Sequence, residues 1–509
     1  MARTLRPNAP RVAAIAMLLV FGAGCTSFHD YVHNGFKVGP SYGTPCGPVA
    51  PHWIDAADIR QAHDGESLAC WWRVFNDPKL NHLIACAYRQ NLTVKQACFR
   101  VLEARALLAV ARGELFPQSQ YASGGYTRSG INEVFSDRWN LGFTMNWELD
   151  FWGRLRRAIA QADDNLNVSV ADYDDVLVTM FSDIALYYTI VRTNQQQIIY
   201  LKANADLQRR TFRFIEARLL AGFRQTELDR LQTEATLKQT EAGIPSVEIS
   251  MRQAENALCV LLGMPPADLE KVLGRGPIPV TPPEVAIGVP ADLLRRRPDV
   301  RRAQFNAAAQ GEQIGITEAQ LYPYFYLNGN LGYSAQNFSD LLKSESFVGS
   351  VGPSFNWNLL NYGRIANSVR YQDARFQELA YAYQQTVISA AREVENGLVT
   401  FLKSQQRTRL LQESVTAGEK AVHLATLRYR MGVVGVTDYT TNAQNLVTQQ
   451  NSEAVARGDI AQGLIATYRA LGGGWDIRLQ GGPVLEPLPP ETEPAAPTVP
   501  PPEPVSPAK

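Results

Sequence analysis

The stretch 138–150 reads RWNLGFTMNWELD and alternates apolar and polar residues at every second position. Successive side chains of a β-strand point to opposite faces, so this stretch predicts a strand with one apolar and one polar face. A strand of a soluble β-sandwich would alternate in the same way, and one strand alone therefore does not reveal its environment. The apolar residues are Trp139, Leu141, Phe143, Met145, Trp147 and Leu149.

A second stretch with the same alternation lies at 347–359, FVGSVGPSFNWNL. Both stretches end in a Trp-x-Leu step, and a Gly-Arg pair follows shortly after each. Because glycine allows the backbone to turn sharply, we predict that these two pairs form strand-to-helix turns. The pairs are Gly153-Arg154 and Gly363-Arg364.

Each of the two stretches is preceded by another strand candidate, at 121–128 and at 324–333. Alternating strands of about 10 residues, with tryptophan near their ends, are typical of transmembrane β-barrels. The smallest such barrels have about 8 strands, so four strands cannot close one. If the strands lie in a membrane, several chains must build the barrel together.

A long helix is predicted between Gly153 and Gly222, where the chain contains no other glycine and no proline. Apolar residues recur there every three or four positions, as on one face of an amphipathic helix. Such a helix would extend about 100 Å, far more than the ~30 Å hydrocarbon core of a bilayer. Because its other faces carry charged residues, we expect it to lie in water.

The second half of the chain repeats the first. The distance from Gly153 to Gly222 equals that from Gly363 to Gly432, and the distance from Gly222 to Gly263 equals that from Gly432 to Gly473. The period of about 210 residues is too long for a solenoid unit and indicates a duplication of helix, two strands, long helix and helix. We predict a mainly α chain with a membrane β-barrel part.

The N-terminus reads as a secretory signal, because arginines precede an apolar run at 12–21 that is too short to span a membrane. Gly22-Ala23-Gly24 before Cys25 resembles the lipoprotein box of bacteria, in which the cysteine is lipidated and becomes the mature N-terminus. An ordinary signal peptide cut nearby is the alternative. Thr26 resembles the residue found in lipoproteins sent to the outer membrane.

Composition and missing motifs exclude several functions. Lys+Arg and Asp+Glu both number 49, so no basic excess indicates a nucleic-acid partner. The sequence has no His-Glu-x-x-His, Cys-x-x-Cys, phosphate-loop or Gly-x-Ser-x-Gly motif, and we predict neither an enzyme nor a cofactor or metal site. Five cysteines remain besides Cys25, and a bridge between Cys46 and Cys70 is left open.

Several short motifs together resemble the TolC-like outer membrane efflux lipoproteins of the NodT group. The resemblance runs from about residue 38 to 476 and leaves out the Pro-rich tail. It rests on VGPSYGTP at 38–45, WW-x-x-F-x-DP-x-L at 71–80, LRRRPDV at 294–300, RYRMG at 428–432 and LGGGW at 471–475.

This resemblance implies a homotrimer in which each chain gives four strands to a twelve-stranded outer membrane barrel and its long helices to a periplasmic α-barrel. It also implies a periplasmic adaptor (membrane fusion) protein and an inner-membrane transporter of the RND type. The helical tips at Gly222 and Gly432 would contact the adaptor, and Asp438 would belong to the channel gate. Thr441 stands where the family has a second gate aspartate.

We therefore predict an export duct for drugs or other small molecules, lipid-anchored in the outer membrane. The alternatives are the outer membrane component of type I protein secretion, a structural surface lipoprotein, and an enzyme on a helical scaffold. The predicted segments are a signal peptide (1–24), an extended anchor segment (25–75), repeat 1 (76–263), a crossover linker (264–297), repeat 2 (298–475) and a disordered Pro-rich tail (476–509).

Overall fold

The computed structural model describes residues 27–45, 47–50, 53–54, 68–223, 226–284 and 295–485. The predicted signal peptide and Cys25 lie outside these residues, as does most of the Pro-rich tail. Cys46 is also outside them, so the Cys46–Cys70 bridge stays a prediction.

The four predicted strands form one antiparallel sheet in the order β1-β2-β3-β4. Its register places Met145 opposite Gly329 and Gly329 opposite Val351, so the apolar residues of neighbouring strands share one face. The strands are β1 (Ser119–Ile131), β2 (Val134–Leu149), β3 (Tyr324–Ala335) and β4 (Phe347–Asn356).

Strand β4 is shorter than predicted: the alternating stretch runs to Leu359, but the strand ends at Asn356. The indole nitrogen of Trp357 donates to the carbonyl of Leu321, 2.9 Å away, at the end of the helix that precedes β3. Trp147 makes the equivalent bond to the carbonyl of Leu115 at 3.1 Å, but it does so from within β2. Both tryptophans thus tie the foot of the sheet to a helix end.

Nine α-helices account for most of the described residues. The two long ones, α4 and α8, have 67 residues each and are about 100 Å long, as the sequence predicts. The helices are α1 (Phe28–His33), α2 (Pro78–Gln90), α3 (Leu92–Gly113), α4 (Arg154–Leu220), α5 (Glu227–Leu261), α6 (Glu270–Leu273), α7 (Pro298–Glu318), α8 (Arg364–Arg430) and α9 (Val436–Ala470).

Helix α4 is also the one described helix whose length and apolar composition would suit a membrane span. Of its most apolar 18-residue window, however, 67% is buried inside the chain. The apolar residues of α4 are therefore explained by packing against neighbouring helices.

The duplication is slightly less regular than the glycine spacing suggests. Helices α4 and α8 begin 210 residues apart (364 − 154), whereas α5 and α9 begin 209 apart (436 − 227). The turn that enters α9 is thus one residue shorter. The structural equivalent of Gly263 is Gly472, which shares its φ of +70°, and not Gly473.

The largest core lies halfway along the long helices. Trp71 and Trp72 belong to a 3₁₀ segment, Leu68–Phe75, that packs there; Trp71 stacks on Tyr468 with centroids 5.3 Å apart, and Trp72 meets Phe181 at 4.8 Å. This aromatic cluster holds the helices of both repeats together.

The C-terminal end of the structure also packs on this core, so the ordered chain continues past the predicted tail start at 476. Trp475–Gln480 forms a 3₁₀ segment in which Ile477 is buried. Arg478 donates to the fully buried carboxylate of Asp174 at 2.5 and 3.1 Å. A buried carboxylate needs such a cation, and this pair fixes the segment to α4.

The long helices have different neighbours on either side of this core. On the side of the sheet the helices lie in the order α3-α4-α7-α8, and on the other side in the order α5-α4-α9-α8. Among the described helices, α3, α5 and α8 are thus the edges, and Tyr42, Gly47 and Ile54 lie along part of α8. Large apolar side chains are exposed along these edges, among them Phe99, Leu102, Leu107, Leu231, Leu410, Leu424 and Leu427.

Candidate channel, gate and docking sites

The first strand-to-helix turn is built on Gly153, whose φ of +79° is left-handed. A Cβ at this position would lie 2.4 Å from Cγ of Lys37, so a larger residue is excluded by space as well as by backbone conformation. Arg154 begins α4 and donates twice to the Glu148 carboxylate, at 2.9 and 2.8 Å. The Gly-Arg pair therefore joins the end of β2 to the first turn of α4.

The second turn has the same backbone but different surroundings. Gly363 has a φ of +78°, and a Cβ there would meet nothing closer than the side chain of Asn367 at 3.7 Å. The backbone N–H of Arg364 donates to the Asn361 carbonyl at 2.9 Å. The two turns are equivalent in fold, but only the first is packed against another described segment of the chain.

The segment around Lys37 is held by two further arginines, Arg156 and Arg157, which were not predicted from the sequence. Arg157 is 1% exposed, and its guanidinium donates to the carbonyls of Val38, Gly39 and Pro40 at 2.7, 2.9 and 3.1 Å. Its remaining nitrogen pairs with Glu312 at 2.8 Å. The run RLRR after Gly153 could have indicated such a contact, but its partners lie more than 110 residues away.

Arg156 extends the contact to residues nearer the N-terminus. It donates to the carbonyls of Gly35 and Phe36, both at 2.7 Å. The hydroxyl of Tyr31 donates to the Phe151 carbonyl at 2.7 Å. Helix α1, which begins three residues after Cys25, therefore lies beside the foot of the sheet.

The two predicted helical tips have the same hydrogen-bonded ending. Gly222 and Gly432 have φ values of +74° and +75°, and each is followed by a residue whose N–H reaches five residues back, at 3.0 Å in both cases. This is the Schellman ending of a helix, which requires a left-handed residue. Apolar side chains project at both tips, namely Leu220, Phe223, Met431 and Val433.

Asp438 is exposed on the first turn of α9. Its equivalent in the first repeat is Asp229, 209 residues earlier and likewise third in its helix. Asp229 accepts from the N–H of Thr226 at 2.9 Å in a capping box, whereas α9 is preceded by Gly435 and has no side-chain cap. The Asp229 carboxylate thus caps its own helix, and that of Asp438 is directed to solvent.

Asp164 is an acidic residue ten positions after the start of α4, in the part of this helix nearer the sheet. Burial raises the pKa of Asp164 to about 6, and the carboxylates of Glu312 and Asp163 add to this shift. Glu312 is itself paired with Arg157. Asp164 therefore changes charge near pH 6.

Across the described residues, no group of three or more His, Cys, Asp or Glu side chains is arranged to hold a metal ion.

Comparison with known proteins agrees with this geometry. The family model described as outer membrane efflux protein matches residues 83–264 and 289–473, more than two thirds of the chain. Nodulation protein T of Rhizobium leguminosarum bv. trifolii is 26% identical over 464 residues, which are 90% of this chain and 98% of that protein. The pyoverdine export outer membrane protein OpmQ of Pseudomonas aeruginosa is 26% identical over 439 residues, 84% of this chain and 90% of the relative.

Among solved structures, the outer-membrane channel OprN superposes with a TM-score of 0.81 at 30% identity, covering 86% of this chain and 99% of OprN. Channels of this type form trimeric barrels continued by a helical tunnel, and the predicted fold class is confirmed. The family and its relatives are channels and not enzymes. The chain therefore belongs to the outer membrane efflux protein family, and it is an export channel of the outer membrane that extends into the periplasm.

Proposed function

We propose that three copies of this chain form a lipid-anchored duct that passes small molecules from a periplasmic adaptor and an RND-type inner-membrane transporter to the outside. The single observation that carries the assembly is the open sheet. Among the described residues, β1 and β4 each pair with one strand, so both edges of a membrane-facing sheet are free. Exposed strand edges are not tolerated in hydrocarbon, and pairing β1 with β4 of a neighbour closes a barrel of three chains.

The helix edges support the same assembly. Phe99 on α3 is 70% exposed in the single chain, and Leu410 on α8 is 56% exposed. Apolar patches of this kind mark interaction surfaces. In a ring of three chains, α8 of one copy would cover α3 and α5 of the next.

The predicted docking and anchoring residues fit this arrangement. The tips at Gly222 and Gly432 lie at the far ends of the long helices and carry exposed apolar residues, as a surface for the adaptor would. Cys25 would insert its lipid beside the foot of the sheet, because α1 lies there. The turns at Gly153-Arg154 and Gly363-Arg364 would mark the periplasmic surface of the membrane.

The cargo is proposed from the relatives. OpmQ is named for pyoverdine export and SrpC of Pseudomonas putida for solvent efflux, both small molecules. These relatives favour small-molecule efflux over type I protein secretion.

Conductance in planar bilayers tests this function. The purified full-length chain should run as a trimer and open discrete ion-conducting channels. Phe99→Asp places a charge on a helix edge and should lower the yield of trimer and of channels together. Leu479→Asp is the matched control, since Leu479 is 66% exposed but lies outside these edges. A monomeric chain that conducts no ions would contradict the proposal.

A further inference from the structure

A groove opens beside Trp139, where β3 ends and the β1–β2 hairpin continues outward. The connection between β3 and β4, residues 336–346, folds across β2 toward β1 and forms one wall of an open cavity of about 620 Å³. Phe338 contacts Trp139 edge-on at 5.0 Å, and Trp139 contacts Tyr126 at 4.5 Å. The lining also includes three leucines, Leu141, Leu341 and Leu342, together with Gly124, Gly125, Asn140 and Ser339.

The groove lies on the apolar face of the sheet. Tyr126 pairs with Trp139, and Leu141 lies between Gly124 and Tyr333 on the same face. The opposite face carries a polar chain in which Asn146 donates to Asn328 at 2.5 Å and Asn328 to Ser354 at 2.7 Å. If the barrel is placed as in the proposed function, on which this inference rests, the groove opens toward lipid and the polar chain toward the lumen.

Along the membrane normal, the groove lies near the outer boundary of the apolar band. Trp139 and Trp147 are eight residues apart on β2, about 27 Å along the strand. At the 35–45° tilt of strands in such barrels this is roughly 19–22 Å along the membrane normal, slightly less than the ~25 Å apolar band between the aromatic girdles. Trp147 lies at the foot of the sheet, so Trp139 lies just inside the opposite boundary. The groove therefore faces the acyl chains of the outer leaflet just below their headgroups.

Two of the cations near the groove are paired with carboxylates. Arg128 lies 3.8 Å from Asp137, and Lys343 donates to Asp340 at 2.7 Å. Most of the residues that line the groove are apolar, and we therefore expect hydrocarbon, and not headgroup charge, to determine what binds.

We propose that this groove holds one acyl chain of an outer-leaflet lipid in each protomer. The absence of a side chain at Gly124 leaves this space open. A Cβ there would make only ordinary contact with Leu141 at 3.5 Å, but the further atoms of a larger side chain would enter the groove. Residues 338–342 would cover the bound acyl chain on the side away from the sheet. The acyl chain would thus lie between the sheet and the loop that connects β3 to β4.

The test uses quenching of tryptophan fluorescence. Full-length trimer, freed of lipid in detergent, is titrated with phosphatidylcholine and with phosphatidylglycerol whose acyl chains carry bromine. We expect a saturable quenching component that is equal for both lipids and is absent in Trp139→Phe. Gly124→Leu should weaken this component roughly fifty-fold, if leucine excludes about three methylenes. Gly329→Leu is the matched control, because Gly329 lies on the same face outside the groove and has only ordinary contacts with Met145.

The proposal is overturned if the wild-type trimer lacks a saturable component, or if Gly124→Leu and Gly329→Leu are quenched equally. Leu342→Ser, in the loop, tests the groove without touching β1; if it lowers trimer yield and leaves quenching unchanged, the neighbouring protomer fills the groove and the proposal fails. Channels that conduct normally while binding no lipid would reject the groove alone, whereas loss of trimer and conductance in the wild type would reject the proposed function.

Discussion

Asp229 and Asp438 are the third residues of equivalent helices, but their carboxylates have different surroundings. Asp229 accepts a hydrogen bond from Thr226 at the start of its own helix, and the side chain of Asp438 is exposed on α9. Three exposed carboxylates around a trimer axis would attract cations, as acidic rings do in cation-selective pores. This difference makes Asp438 the better gate candidate of the two.

Asp438→Asn should therefore reduce cation selectivity while the trimer still assembles, because no buried contact is lost. The measurement is the reversal potential of single channels in a salt gradient. Asp229→Asn is the control and should change it less; the amide oxygen of asparagine can still accept from the Thr226 N–H, so the helix cap is kept. A larger change at Asp229 would place the constriction on the other helix pair.

Asp164 provides a second prediction at the level of one residue. Burial raises its pKa from the ordinary 3.8 to about 6, so the folded chain binds the proton more tightly than the unfolded chain. Its contribution to stability is therefore fully present below pH 3.8 and is lost as the pH rises to about 6. Asp164→Asn should stabilise the protein at pH 8 by about 1 kcal/mol, reduced from the full linkage value because the group is partly exposed, and progressively less toward pH 4. Chemical unfolding at several pH values checks this, and a gain that does not depend on pH would contradict it.

At the level of the element, the sheet makes a prediction from its two faces. Met145 lies on the apolar face between Gln120 and Gly329, and its neighbour Thr144 points to the polar face beside Asn330. An arginine that meets lipid costs roughly 2–4 kcal/mol at the bilayer midplane and about 0–1 kcal/mol near the interfaces, whereas a lumen residue costs little. Met145 lies two residues from Trp147, so the cost of an arginine there falls between these values.

Met145→Arg should therefore lower the yield of folded trimer, and Thr144→Arg should be tolerated and alter conductance instead. Trimer yield after purification from membranes is the measurement. Equal losses for the two variants would mean that the apolar face does not meet lipid.

The elements were also the part of the fold that the sequence predicted best. The strands and the two 67-residue helices follow from periodicity, because alternation by two or by 3.6 is a local property of the chain. Element ends were less certain. Strand β4 stops at Asn356 because its partner β3 begins opposite it, at Tyr324, a limit that the local pattern of β4 does not contain.

At the level of the whole molecule, the anchor can be tested directly. Helix α1 lies at the foot of the sheet, where a lipid on Cys25 would reach the inner surface of the outer membrane. Cys25→Ser should abolish incorporation of labelled palmitate. Cys98→Ser is the control and should keep the label, since Cys98 lies within α3. Labelling that persists in Cys25→Ser would remove the lipoprotein assignment.

Inspection of the sequence was enough to predict the strand and helix types, the duplication, the need for several chains, and the family resemblance. All of these depend on residue order and spacing, which can be read without contacts. Periodicity also allowed the turns at Gly153 and Gly363 to be located, because a left-handed glycine is needed where a strand turns sharply into a helix.

The tertiary structure alone decided how distant segments meet. Arg157 binds carbonyls more than 110 residues away, and Arg478 pairs with Asp174 across 304 positions, so neither contact leaves a local pattern in the sequence. The equivalence of the two repeats was also clear only from the structure. Gly472, and not Gly473, is the structural equivalent of Gly263, because the turn before α9 is one residue shorter. Burial and pairing of charged groups are properties of the folded chain, and residue spacing does not encode them.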